Sequence, residues 1–202
     1  MRKESLGFIL MITSYIAGMI NKVVLSFISI PFDIYINYVL ASNILMTIVI
    51  IIGLILIILD NKDDIFLIIA SLLLIASPIS SIITTWIRLG FSVETGSSIV
   101  LMAQSINFAP VITVVFLLSL YNRLNIGGRL LTMTYIAISL INFIGSMILN
   151  HFIKDLTVEL FSLFSNVAAY IYYIQTIIII GVLVMNLKYA LSRKQKQQNI
   201  NI

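Results

Sequence analysis

The sequence predicts an all-α fold: a polytopic membrane bundle of six transmembrane helices. Three observations carry that reading. Of the 202 residues, 60% are hydrophobic and only 10% are charged, with a mean hydropathy of +1.12. A soluble domain needs roughly 25% charged residues to cover its surface, so a chain this apolar must use lipid as its solvent. Six stretches reach the roughly 20 apolar residues that a helix needs to cross a hydrocarbon core of about 30 Å. Lysines and arginines cluster at the ends of those stretches rather than within them.

The first span starts near Leu6 and is interrupted by Asn21 and Lys22 before it reaches Ile30 and Pro31. The second, Tyr35 to Leu59, contains the nearly unbroken run IVIIIGLILIIL. The third runs from Ile65 to Trp86, the fourth from Ser97 to Tyr121 and the fifth from Leu130 to Leu149. The sixth begins somewhere after His151 and ends near Leu187. Isoleucine, about one residue in five, is a poor helix former in water. In lipid, however, only a helix satisfies the backbone within one segment. Such Ile-rich chains with Asn and Lys resemble those encoded by AT-rich bacterial genomes.

Most connections are short. DNKDD (60–64) predicts a tight hairpin with Asp63 or Asp64 as N-cap of the third helix. NRLNIGGR (122–129) is expected to turn on Gly127–Gly128. Residues 1–190 then form one membrane domain, and 191–202, ending QKQQNINI, form a polar cytoplasmic tail expected to be irregular. The N-terminal MRKESLGFILMITSYIAGMI has the layout of a secretion signal but no small-x-small cleavage site, which predicts an uncleaved first helix.

Orientation follows from the basic residues. With both termini in the cytoplasm, that side holds Arg2, Lys3, Lys62, Arg123, Arg129, Lys188, Arg193, Lys194 and Lys196. The outer side holds Arg88 and Lys154, with Lys22 at the outer end of helix one. This is a positive-inside bias; together with the AT-rich type of composition, the expectation is a bacterial plasma-membrane protein. Trp86, Tyr35 and Tyr38 fall at the outer interface, Tyr121 and Tyr189 at the inner one. The net charge of +4 follows topology and gives no reason to expect a nucleic-acid partner.

No cysteine is present, which excludes disulfides, thiolate nucleophiles and sulfur metal sites. No serine nucleophile elbow, phosphate-binding glycine loop or zinc-protease motif occurs, and neither a cofactor nor a metal is expected. Spans two to six carry no charge at mid-membrane depth, which argues against an ion-coupled carrier built on a buried carboxylate. Lys22 reads as a side chain that snorkels to the outer interface; a buried role would need a partner, and Asp33 is nearest in sequence.

The spans carry amides instead: Asn43, Gln104, Asn107, Asn142, Asn166 and Gln175. Gln104 and Asn107 share a face, and Pro110 continues their stripe, where it frees a backbone carbonyl. Such amides either bond neighbouring helices or line an outward pocket for a neutral or zwitterionic solute. Ser14 and Gly18 form a small-xxx-small packing face on helix one. Pro78, among Ser77, Ser80 and Ser81, predicts a kink in helix three.

HFIKDLTVEL (151–160) holds the single histidine. His151, Asp155 and Glu159 recur at i, i+4 and i+8, so one helix would stack them on one face, with Arg88 on the same side of the membrane. Their position at the outer lip reads as a short interfacial helix before the last span. As an outer-face contact these four residues would meet a ligand or partner.

Size, six spans, cytoplasmic tails and an outward polar pocket resemble the substrate-binding subunits of energy-coupling-factor vitamin transporters. The resemblance is one of architecture and assigns no residue. The glycine- and alanine-rich helix-one signature that docks the energy module in that family is absent here, where Ala17 and Gly18 stand alone. It implies a transport-related subunit whose partners are the bilayer and other membrane or ATPase subunits. A second reading is a non-catalytic interaction protein: an immunity, sensory or export-accessory factor. A third, a lipid-acting membrane enzyme, would have to use His151 with Asp155; an enzyme is not the expectation.

Overall fold

The computed structural model describes residues 2–28, 31–90, 109–152 and 158–200, and every regular element among them is helical. These are α1 (Lys3–Phe27), α2 (Phe32–Asp60), α3 (Ile65–Gly90), α4 (Ala109–Leu120), α5 (Ile126–Phe152) and α6 (Val158–Ile200), with a 3-10 turn at Tyr121–Arg123. Six α-helices meet the expectation of six. Lys3–Phe27, Asn37–Asp60, Ile126–Gly145 and Asn166–Arg193 are long and apolar enough to cross a membrane, and Ile65–Ser77 and Pro110–Arg123 are shorter apolar stretches. The chain has the build of a multi-pass membrane protein.

Local chemistry sets the helix ends. Pro31 has no N–H to continue α1, and its carbonyl accepts the first bond of α2 from Tyr35 N–H at 2.9 Å. At the end of α2, the Asn61 side chain donates to the Ile57 carbonyl at 2.9 Å. Asp64 then caps α3, its Oδ1 accepting from Leu67 N–H at 3.0 Å, as expected. The Gly127–Gly128 expectation is corrected. The chain turns through Tyr121–Arg123, Asn125 caps α5 by accepting from Gly128 N–H at 2.9 Å, and both glycines are helical. Gly128 is there for space: a Cβ on it would lie 2.9 Å from Met185 Sδ and from Leu124 Cδ2.

The α3 backbone is helical through Pro78. One further difference concerns α6. The tail expected to be irregular from residue 191 instead continues α6 to Ile200, because SRKQKQQ lacks Gly and Pro and is rich in good helix formers.

The helices pack in chain order: α1 on α2, α2 on α3, α3 on α4, α4 on α5, α5 on α6, and α6 back on α1, which closes a ring. The tightest seam is α1–α2. A Cβ on Gly7 would collide with the Gly53 carbonyl oxygen, and one on Gly53 would lie 2.8 Å from the Gly7 carbonyl oxygen. Ser14 Oγ donates to the Met46 carbonyl at 3.0 Å, and a Cβ on Gly18 would lie 3.2 Å from Met46 Sδ. The predicted Ser14–Gly18 face is therefore the distal continuation of a stripe that starts at Gly7.

Among the described residues, buried hydrophobics gather in the half of the bundle nearer the termini. Phe8 and Met11, Leu54 and Ile57, Leu67 and Ala70, Phe116 and Leu117, and Val182 and Leu183 are all at most 1% exposed. Exposed Ile, Leu and Val side chains, such as Leu45, Leu140 and Ile177, cover the outside of the ring, where lipid solvates them.

Candidate ligand pocket and terminal ion-pair network

At the terminal end the tight 3-10 turn projects Arg123 towards α1. Its Nη1 donates to Glu4 Oε1 at 2.5 Å, and its Nη2 donates to Asp64 Oδ2 at 2.9 Å and to Asn61 Oδ1 at 3.1 Å. Glu4 N–H donates to Asp60 Oδ2 at 3.2 Å. One guanidinium thus ties the start of α1, the α2–α3 turn and the α4–α5 turn together. Asp64 divides its work, one oxygen capping α3 and the other taking Arg123. The Glu4 side chain is only 2% exposed and that of Arg123 12%, whereas Asp64 keeps 36%. A carboxylate as buried as Glu4 needs a cation and hydrogen bonds to stay charged. Arg123 provides both. Its charge, assigned above to positive-inside topology, is spent on two carboxylates.

The opposite end, called distal here, holds a half-open cavity of about 380 Å³ between α1, α2 and α6. Gly18, Leu25, Val39 and Met46 give it apolar walls; Asn21, Lys22, Ser26, Tyr35, Asn43 and Tyr172 give it polar ones. Lys22 does not run straight out along α1. Its ammonium lies 3.3 Å from the centroid of the Tyr172 ring on α6, a cation–π contact across the cavity. Asn21 is fully engaged: it donates to Ser42 Oγ at 3.0 Å and accepts from Tyr38 Oη at 2.8 Å. This bond network explains how α1 accommodates a polar pair near its end. Among the described lining residues there is one cation, a free amide at Asn43 and no carboxylate.

No family model, curated protein or solved structure matches this chain.

The predicted site residues scatter. Asn43 lines the distal cavity. Gln175 donates to Ser139 Oγ at 3.0 Å, joining α6 to α5, and the buried Tyr135 hydroxyl is hydrogen-bonded with Ser139 and with Thr113 on α4. Asn142 is half-buried on α5 and Asn166 exposed on α6. Gln104, Asn107 and Asp155 lie outside the described residues, as do the side chains of Asp33, Arg88, His151 and Glu159. On the backbone, His151 lies in the last turn of α5 and Glu159 in the first turn of α6. Among the described residues no three His, Asp or Glu side chains group as a metal site.

Sequence reasoning missed the Arg123 network and the pairing of Lys22 with Tyr172. Glu4 and Arg123 are 119 residues apart. The one local signal was the demand that a helix-capping Asp64 already placed on Arg123's side of the membrane.

Proposed function

We propose that this chain is a transport-related membrane subunit that takes a small solute into the distal pocket while the Arg123 network holds the terminal end shut. The observation that carries the reading is an asymmetry among the described residues: a cavity at one end, and a packed core closed by a buried ion-pair cluster at the other. A passage that must admit solute from one side without leaking to the other needs such an arrangement, with the closure built from contacts that can exchange. In this reading the terminal end, which carries Lys3, Lys62, Arg129, Lys188 and Arg193, faces the cytoplasm of a bacterial cell, and the pocket faces outward. The chain binds rather than catalyses, and other membrane or ATPase subunits supply the energy.

The absence of native cysteine makes the test clean. Asn43→Cys should react with a membrane-impermeant maleimide from the pocket side only. Adding Arg123→Gln should make it reactive from the terminal side as well. Equal labelling from both sides in the parent, or no effect of Arg123→Gln on a folded protein, would favour a rigid interaction protein instead.

A further inference from the structure

We propose that the distal pocket recognises an anionic head group carried on an apolar body, with Lys22 as its anchoring cation. The proposal rests on the reading of this cavity as the solute site and names the chemistry that the site selects.

Lys22 lines the cavity, and no carboxylate is paired with it among the described residues. Its partner is the face of Tyr172, a contact worth about 0.5–2 kcal/mol, which leaves the ammonium hydrogens turned away from the ring able to donate. The contrast with Arg123 is direct, since that cation is already held by Glu4, Asp64 and Asn61. Around Lys22, the Asn43 amide and the Tyr35 hydroxyl line the cavity with no hydrogen bond to another described residue, while Asn21 bonds Ser42 and Tyr38. Among the described lining residues, one cation with neutral donors and no acid selects an anion. Leu25, Val39 and Met46 form the walls that an aliphatic body would contact. A cavity of about 380 Å³ sits at the small end of the roughly 300–1,000 Å³ range of ligand pockets, so the body is short or only partly enclosed.

A soluble carboxylate and the phosphate of a lipid head group share this chemistry, and the experiment separates them. The full chain is placed in nanodiscs of phosphatidylcholine and titrated with octanoate and with octanamide, its neutral counterpart, by ligand-observed NMR. In parallel, native mass spectrometry reads retention of phosphatidylglycerol over phosphatidylcholine. Octanoate should bind about 10-fold or more tighter than octanamide, the loss expected when one charge-assisted bond is removed. Retained phosphatidylglycerol with weak octanoate would assign the head group to lipid, and strong octanoate to a soluble acid; either supports the proposal. Lys22→Gln should abolish the preference and Lys22→Arg should keep it within about 3-fold, with both variants eluting as the parent does. Equal binding of octanoate and octanamide, with no retention of phosphatidylglycerol over phosphatidylcholine, overturns the anion proposal and leaves the solute pocket standing. Failure of all three probes to bind overturns it too, and the sided labelling of Asn43→Cys then decides whether the pocket reading falls with it.

Discussion

Removing Arg123 should cost far more than removing a surface charge, and the structure gives the size of the effect. In Arg123→Gln the Glu4 carboxylate, 2% exposed, loses its cation and stays buried. Breaking a buried pair from one side costs about 3–5 kcal/mol. Asp64, at 36% exposure, recovers water and adds little. Glu4→Gln is milder, because the buried group becomes neutral and Arg123 keeps Asp64 and Asn61; about 1.5–3 kcal/mol is expected. The double variant holds no buried charge, so its loss should fall short of the sum by about 0.5–3 kcal/mol. A single reporter cysteine at Ala190, fully buried on α6, reads unfolding by heat-dependent thiol exposure in a chain that has no other thiol. At roughly 2–4 °C per kcal/mol for a chain of this size, Arg123→Gln should lower the midpoint by about 6–20 °C. Additive single effects, or a midpoint within a degree of the parent, would refute the claim that Glu4 depends on Arg123.

Other outcomes follow from the packing. Gly7→Ala forces a Cβ onto the Gly53 backbone, which cannot rotate away, and should cost at least the 1–3 kcal/mol typical of overpacking, read as a lower thermal midpoint. Gly145→Ala, where nothing lies within 4 Å of the added carbon, is the matching control and should stabilise α5 by roughly 0.5–1 kcal/mol. Gln175→Leu removes the bond to Ser139 and should lower stability by about 0.6–2 kcal/mol while leaving labelling of Asn43→Cys unchanged; a change in labelling would return Gln175 to the pocket. Asn125→Ala uncaps α5 at a cost of about 0.5–2 kcal/mol, visible in the same melt.

The helices were legible because lipid leaves the backbone few choices. A run such as IVIIIGLILIIL can only be a buried span, and Asp64 before an apolar run can be read as a cap from sequence neighbours alone. Ser14 and Gly18 announced a packing face because they are four residues apart on one helix. Gly7 and Gly53 did not, since their meaning lies in facing each other across two helices, which local spacing does not encode. The same limit hid the polar centres. Glu4 and Arg123 sit at segment ends, where a charge reads as topology whether it faces water or a partner. Lys22 looked like a snorkelling side chain because its ring partner, Tyr172, belongs to the last helix. Gly127–Gly128 misled for a different reason: glycine punctuates turns so often that its other use, close packing inside a helix start, was outweighed, although Asn125 gave the capping signal.

The central claim is that the Glu4–Arg123 contact closes the terminal end of the ring. Spin labels on Lys3→Cys and Asn122→Cys, exposed neighbours on either side of that ion pair, measure the gap it spans. Pulsed electron-spin distance measurement in nanodiscs should give one narrow distribution for the parent, and a second, longer population when Arg123→Gln is added. A single unchanged distribution in a folded Arg123→Gln protein would contradict the account.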